Sequence, residues 1–173
     1  MEEEKENDNS NIKDRKIKRE YIILLAIVIC IVLIDQITKI CIVNNGEIQV
    51  ISNVLKFSVT ENTKPAYGIG SGSTFMYVLT NLVILSVIFK FVTTQNEYVD
   101  TKLKIFLSFI FAGGISNIID RITRGYVIEF IDFNQLVSFP IFNVADIFTI
   151  IGWVAIAAIF AVFTVNEWRK NKK

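Results

Sequence analysis

The chain is 173 residues long, 52% hydrophobic and 20% charged, with a formal net charge of +1. So much apolar mass, gathered into long runs, excludes an ordinary soluble domain and places the chain in the membrane class. Two cysteines, Cys30 and Cys41, both in apolar sequence, exclude a disulfide framework, and the absence of histidine leaves acid–base chemistry to carboxylates, lysine, tyrosine or hydroxyls.

In chain order, residues 1–20 are polar, acidic at first and then basic at Lys13, Arg15, Lys16, Lys18 and Arg19. They offer nothing to bury and read as a disordered cytoplasmic tail. Four apolar segments follow, near 21–43, 75–92, 103–119 and 142–165, each close to the ~20 residues a helix needs to cross a bilayer. The first is too long for a signal-peptide core, lacks a small-residue cleavage site, and precedes three further spans, so it is read as a retained helix. The basic tail, Lys90, Lys102 and Lys104 around the second connection, and a basic tail over 166–173 put both termini in the cytoplasm. Residues 21–165 then form one four-span domain, with outer segments at about 44–74 and 122–141. Alternation at Leu55, Phe57 and Val59 predicts a small sheet in the first outer segment, closed by a Gly-rich turn. The expected fold class is an all-α membrane protein with a small extracytoplasmic β-rich segment between helices 1 and 2.

Charges inside spans cost several kcal/mol unless paired or wetted, so they carry the functional signal. Asp35 and Lys39 stand at i,i+4 in the first helix and share a face, either as a structural ion pair or beside a site. In the third helix Asn117, Asp120, Arg121 and Arg124 form one polar stripe, and Gly113 and Gly114 permit close helix approach. Asp120 and Arg121 are open to two readings, a helix-terminal charge pair or part of a positioning network. Glu129 and Asp132 sit among Val, Ile and Phe, as surface charges or as the lining of a wet pocket. Asn143 and Asp146 open the fourth helix, where Asn143 is also a candidate N-cap. Two carboxyls that share one proton can perform both halves of amide hydrolysis, one taking a proton from water and the other donating one. The rival classes are a non-catalytic membrane protein that binds apolar peptides and a small transporter. Charges clustered at one depth speak against the transporter.

Four motifs in order then resemble the lipoprotein signal peptidase (signal peptidase II) family. Asp35-Gln36-Ile37-Thr38-Lys39 resembles D-Q-x-x-K, Asn62 through Gly68 resembles N-x-G-A-A-F-G, Asn117 through Arg121 matches N-x-x-D-R, and Phe142 through Asp146 matches F-N-x-A-D. The resemblance spans about residues 20–165. It implies an aspartic endopeptidase of the bacterial cytoplasmic membrane, working at the outer leaflet and cutting prolipoproteins before the diacylglyceryl-cysteine. Its implied partners are the lipidated prolipoprotein and the bilayer, with no nucleic acid, no metal, no cofactor and a monomeric state. The catalytic pair maps to Asp146 and Glu129, and Glu129 stands where the family has aspartate. That leaves a site adjusted around Glu129, recruitment of Asp132, or a catalytically impaired homologue that binds lipidated or apolar peptides as an immunity factor, chaperone or partner. Asn62, Asn117, Arg121 and Asn143 are implied as substrate- or site-positioning groups, with Asp35, Lys39, Asp120 and Asp132 in support. Lys64-Pro65 and Ser116 are further departures from the family pattern.

Overall fold

The computed structural model describes residues 2–63, 74–94, 99–133 and 136–172. Four helices, α1 (Glu2–Asn45), α2 (Thr74–Thr94), α3 (Thr101–Arg124) and α4 (Val144–Lys170), are long and apolar enough to cross a membrane. Three strands, β1 (Ile48–Ile51), β2 (Leu55–Asn62) and β3 (Val127–Asp132), pair antiparallel in the order β1-β2-β3.

The sheet corrects the sequence reading in one respect. Its first two strands lie between α1 and α2 as expected, but the third comes from the connection between α3 and α4. Strand β3 is buried along nearly its whole length, so it shows no apolar–polar alternation and reads as an undivided apolar run. Its Ile128, Phe130 and Ile131 form a buried cluster with Ile42 of α1, and Phe57 of β2 lies edge-on to Phe130 at 5.6 Å between ring centroids. An isolated bridge from Ile131 to Phe142 then carries the chain directly into α4.

The expected disordered tail over 1–20 is also corrected, because α1 is helical from Glu2 onward. Burial is the wrong criterion there. A helix already nucleated by the apolar span propagates through a stretch rich in Glu, Lys and Arg that contains neither Gly nor Pro. The third span likewise starts earlier than its apolar pattern, at Thr101 behind the N-cap Asp100, which takes Lys102 and Lys104 out of the connection and into the helix.

Helix α3 is the hub, packed against α1, α2 and α4. Small residues make this possible. A side chain at Gly113 would run into the Ala145 carbonyl and Thr149 of α4, and one at Gly114 would meet Leu85 of α2. Gly152 returns the contact from α4, where a Cβ would lie 2.8 Å from the Phe106 carbonyl oxygen. Outward faces are apolar, with Val87, Val154 and Phe163 each 63% exposed. Inside, the largest fully buried side chains are Lys39, Lys104, Asn143, Asp35, Asp120 and Ser116. Charge in the middle and hydrocarbon outside is the arrangement lipid imposes, since ionised groups are tolerated there only when they face and satisfy one another.

Candidate active site

Three local devices bring the polar residues to one end of the bundle. The first is the end of α3. Gly125 adopts the left-handed conformation at φ 86° and its N–H closes the helix on the Arg121 carbonyl at 3.1 Å, after which the chain reverses at once into β3. Glu129, three residues into that strand, pairs opposite Thr60 of β2. The second is the start of α4, where Asn143 and Asp146 form a reciprocal capping box. The Asp146 N–H donates to the Asn143 side-chain oxygen at 2.9 Å, and the Asn143 N–H donates to Asp146 Oδ2 at 3.1 Å. The N-cap role foreseen for Asn143 and a place beside the carboxylates are thus the same role.

The third device is the buried ion network that ties α1 to α3 and α4. Lys39 Nζ lies 2.6 Å from Asp35 Oδ2 and 2.8 Å from Asp120 Oδ2, and donates to Asn117 Oδ1 at 3.2 Å. An ammonium has three protons, and each is placed. Asp35 also receives the Ser116 hydroxyl at 2.7 Å and the Ala145 N–H, one of the orphan donors at the start of α4, at 2.8 Å. Asp120 receives Gln36 Nε2 at 3.0 Å, the Ile128 N–H at 3.1 Å, and the guanidinium of Arg124. One carboxylate therefore holds the α4 start and the other holds β3, both anchored on Lys39.

Asn117 links this network to the carboxyls. Its Oδ1 accepts from Lys39 and from Asn143 Nδ2 at 3.1 Å, so its Nδ2 is left to donate to Asp146 Oδ1 at 2.9 Å. Asn143 Nδ2 also donates to the Ile128 carbonyl at 3.1 Å, which fixes β3 against α4. On the other carboxyl, Asn62 Nδ2 donates to Glu129 Oε1 at 2.5 Å. Burial pushes the Glu129 carboxyl above the ordinary carboxylate range, and the negative charge of Asp146 pushes the same way. The Asn62 hydrogen bond and the charges of Arg121 and Lys39 oppose them. The charge of Asp146 thus reaches Glu129.

Of the residues singled out from sequence, Asn62, Asn117, Asn143, Glu129 and Asp146 come together, with Asp35, Lys39 and Asp120 behind them. Arg121, half-buried, turns its guanidinium toward the Tyr77 ring of α2 at 5.9 Å while its charge reaches Glu129. Asp132 does not join them. A spacing of three shares a face on a helix but opposes faces on a strand, so Asp132 turns to Ser58, whose hydroxyl it accepts at 3.2 Å, and to Lys56 at 3.9 Å. Asp132 thus lies on the face of β3 away from Glu129. Lys64 and Pro65 lie outside the described residues. Two contributors were missed. Gln36 bridges Asp120 and Ser116, and Ser116, read only as a departure, lies one turn before Asp120 on the same stripe. Stripe position was the signal that could have found Ser116.

Four helices able to cross a membrane, with a small sheet at one end and carboxyls held by amides where sheet meets bundle, define a multi-pass membrane protein with a polar site. The described structure is similar to two solved structures described as bacterial membrane enzymes, at 2.3 and 1.9 Å resolution. Their TM-scores are 0.74 and 0.70, both at 30% identity, and they cover 83% and 79% of this chain and 90% and 91% of theirs. Lipoprotein signal peptidases of Staphylococcus aureus strains JH9 and Newman are each 32% identical over 155 residues, covering 86% of this chain and 94% of theirs. The family model for signal peptidase (SPase) II matches residues 27–163, and the chain belongs to that family.

Proposed function

We propose that this chain is an endopeptidase that removes signal peptides from bacterial prolipoproteins, cutting before the diacylglyceryl-cysteine with Glu129 and Asp146 as a carboxyl dyad. The observation that carries the reading is the coupling of the two groups. They come from different elements, each is held by an asparagine amide, and burial, with the charge of Asp146 adding to it, raises the Glu129 carboxyl toward its protonated form.

The chemistry follows from one shared proton. Ionised Asp146 removes a proton from a water molecule while its oxygen attacks the scissile carbonyl carbon. Protonated Glu129 gives its proton to the carbonyl oxygen, so a neutral gem-diol forms and the dyad is left with its proton on Asp146. Asp146 then protonates the amide nitrogen, the C–N bond breaks, and one gem-diol hydroxyl returns its proton to Glu129. Glutamate extends the carboxyl by about 1.5 Å relative to aspartate, and the Asn62 contact supports a site adjusted to that reach.

The basic residues Lys13, Lys16 and Arg19 and the pair Arg169 and Lys170 lie at the helix ends away from the carboxyls. That distribution supports cytoplasmic termini and a site at the outer leaflet, where a lipidated substrate enters sideways with its acyl chains left in the bilayer. The decisive assay incubates the purified chain with a diacylglyceryl-modified prolipoprotein and reads the mass of the product. Cleavage before the modified cysteine is expected, strongly reduced by Asp146→Asn and by Glu129→Gln. Intact substrate, under conditions where a Staphylococcus aureus relative cleaves it, overturns the peptidase reading in favour of a binding role.

A further inference from the structure

At the end of the bundle away from Glu129 and Asp146 lie two adjoining open spaces, one bordered by α1 and α3 and the other by α1, α2 and α3. The first is a cavity of about 690 Å³ between the polar half of α1 and the first turn of α3. Lys13, Lys16, Arg19 and Lys104 line it, with the carboxylates of Glu20 and Asp100. Both carboxylates are engaged. Glu20 accepts Lys104 Nζ at 2.8 Å and the Thr101 hydroxyl at 2.7 Å, and Asp100 caps α3 by accepting the Lys102 N–H. The lining thus carries more cations than carboxylates.

The second space is a groove of about 160 Å³ lined by Leu24 and Val28 of α1, Val92 of α2, and Leu107 and Phe111 of α3. Its few polar groups are turned away or satisfied. The Ser108 hydroxyl donates to the Lys104 carbonyl at 2.9 Å and the Tyr21 hydroxyl to the Val92 carbonyl at 3.4 Å. Leu24 follows Glu20, and Ser108 follows Lys104, by four residues, so the groove begins about one helical turn, ~5.4 Å, deeper than the cavity.

Basic residues at this end are expected of any chain with this topology. What topology does not require is their convergence on a concavity with an apolar groove beneath it. A phosphate with an acyl chain attached fits both halves, whereas a free anion leaves the groove empty. We infer that the cytoplasmic-end cavity and groove bind one anionic phospholipid, its phosphate among Lys13, Lys16 and Arg19 and one chain against Val28 and Phe111. This site is independent of the peptidase reading.

Native mass spectrometry of the full chain, released from nanodiscs holding equal phosphatidylglycerol and phosphatidylcholine of identical chains, tests it. One retained phosphatidylglycerol is expected. Retention should fall about fivefold for each cation removed in the series K13Q, K13Q/K16Q and K13Q/K16Q/R19Q, exposed changes to another good helix former. Val28→Phe fills the groove with every charge kept and should also lower retention. No preference over phosphatidylcholine, equal retention by the triple variant, or equal retention by Val28→Phe each overturns the proposal. So does displacement of the lipid by inorganic phosphate at concentrations that leave bulk lipid charge unscreened, since that marks an anion pocket without a chain. Helical content and unfolding temperature in detergent, unchanged across the series, confirm that the variants fold.

Discussion

The Lys39 ammonium meets the amide oxygen of Asn117 at 3.2 Å, and that contact decides which end of the amide faces Asp146. An ammonium can only donate, so the acceptor end of Asn117 must turn to it and the donor end to the carboxylate. Lys39 touches neither carboxyl of the dyad by a direct hydrogen bond, yet it orients the group that does.

Lys39→Met keeps the side-chain length and removes the charge. It leaves Asp35 and Asp120 buried without their shared cation, a loss of about 3–5 kcal/mol by analogy with other broken buried pairs. The variant should show a much lower unfolding temperature in detergent. The double variant Lys39→Met with Asp35→Asn restores part of the stability, because it removes one uncompensated charge. A single variant as stable as the parent excludes the network described here.

Glu129 and Asp132 separate cleanly by substitution. Glu129→Gln removes the acid and should lower kcat by about 10²–10⁴-fold. Asp132→Asn still accepts the Ser58 hydroxyl and weakens a 3.9 Å ion pair with Lys56 on the face away from Glu129, so cleavage should persist near the parent rate. A larger loss at Asp132 than at Glu129 reverses the assignment.

The pH profile follows from the raised Glu129 carboxyl. On the proposed dyad, cleavage needs one proton on the pair, so kcat/KM should fall at low pH when both carboxyls are protonated and at high pH when both are ionised. Burial and the Asp146 charge place the alkaline limb above the ordinary glutamate range. Asn62→Ala removes a donor that favours the ionised form, and the alkaline limb should move further up. Stability changes in step. A carboxyl that binds its proton more tightly when folded contributes fully below its unfolded value, and that contribution is lost as pH rises to the folded value. Unfolding temperature should therefore decline over that window in the parent and decline less in Glu129→Gln.

How far the sequence could be read depended on which physical signal each residue carried. Asp35 and Lys39 were legible as a pair because helical spacing puts i and i+4 on one face, and they stand 2.6 Å apart. The four spans were legible from apolar length alone. Strand β3 was not, because burial on both faces erases the alternation that marks a strand. With β3 unread, Asp132 could not be placed on the face opposite Glu129. The pairing of Asn62 with Glu129, 67 residues away, and the choice of Lys39 as partner for Asp120 depend on tertiary closure that no local pattern carries. Ser116 and Gln36 are small or neutral, and so escaped a search that followed charge.

The last prediction concerns two adjacent glycines with different neighbours. A Cβ at Gly113 would lie 2.5 Å from the Ala145 carbonyl oxygen and closer still to Thr149, against a helix backbone that cannot yield without moving α4. A Cβ at Gly114 would lie 2.9 Å from Leu85 Cδ2, the flexible end of a side chain. Both substitutions favour the helix itself by about 1 kcal/mol, so any loss reports packing. Gly113→Ala should push the first turn of α4 away from α3, lengthen the Asn117–Asp146 contact, and lower both unfolding temperature and cleavage, where a shift near ~1 Å costs about 10²-fold. Gly114→Ala should be absorbed by a rotamer change at Leu85 and leave cleavage close to the parent. Equal effects at the two positions rule out the close α3–α4 approach as the feature that sets Asp146.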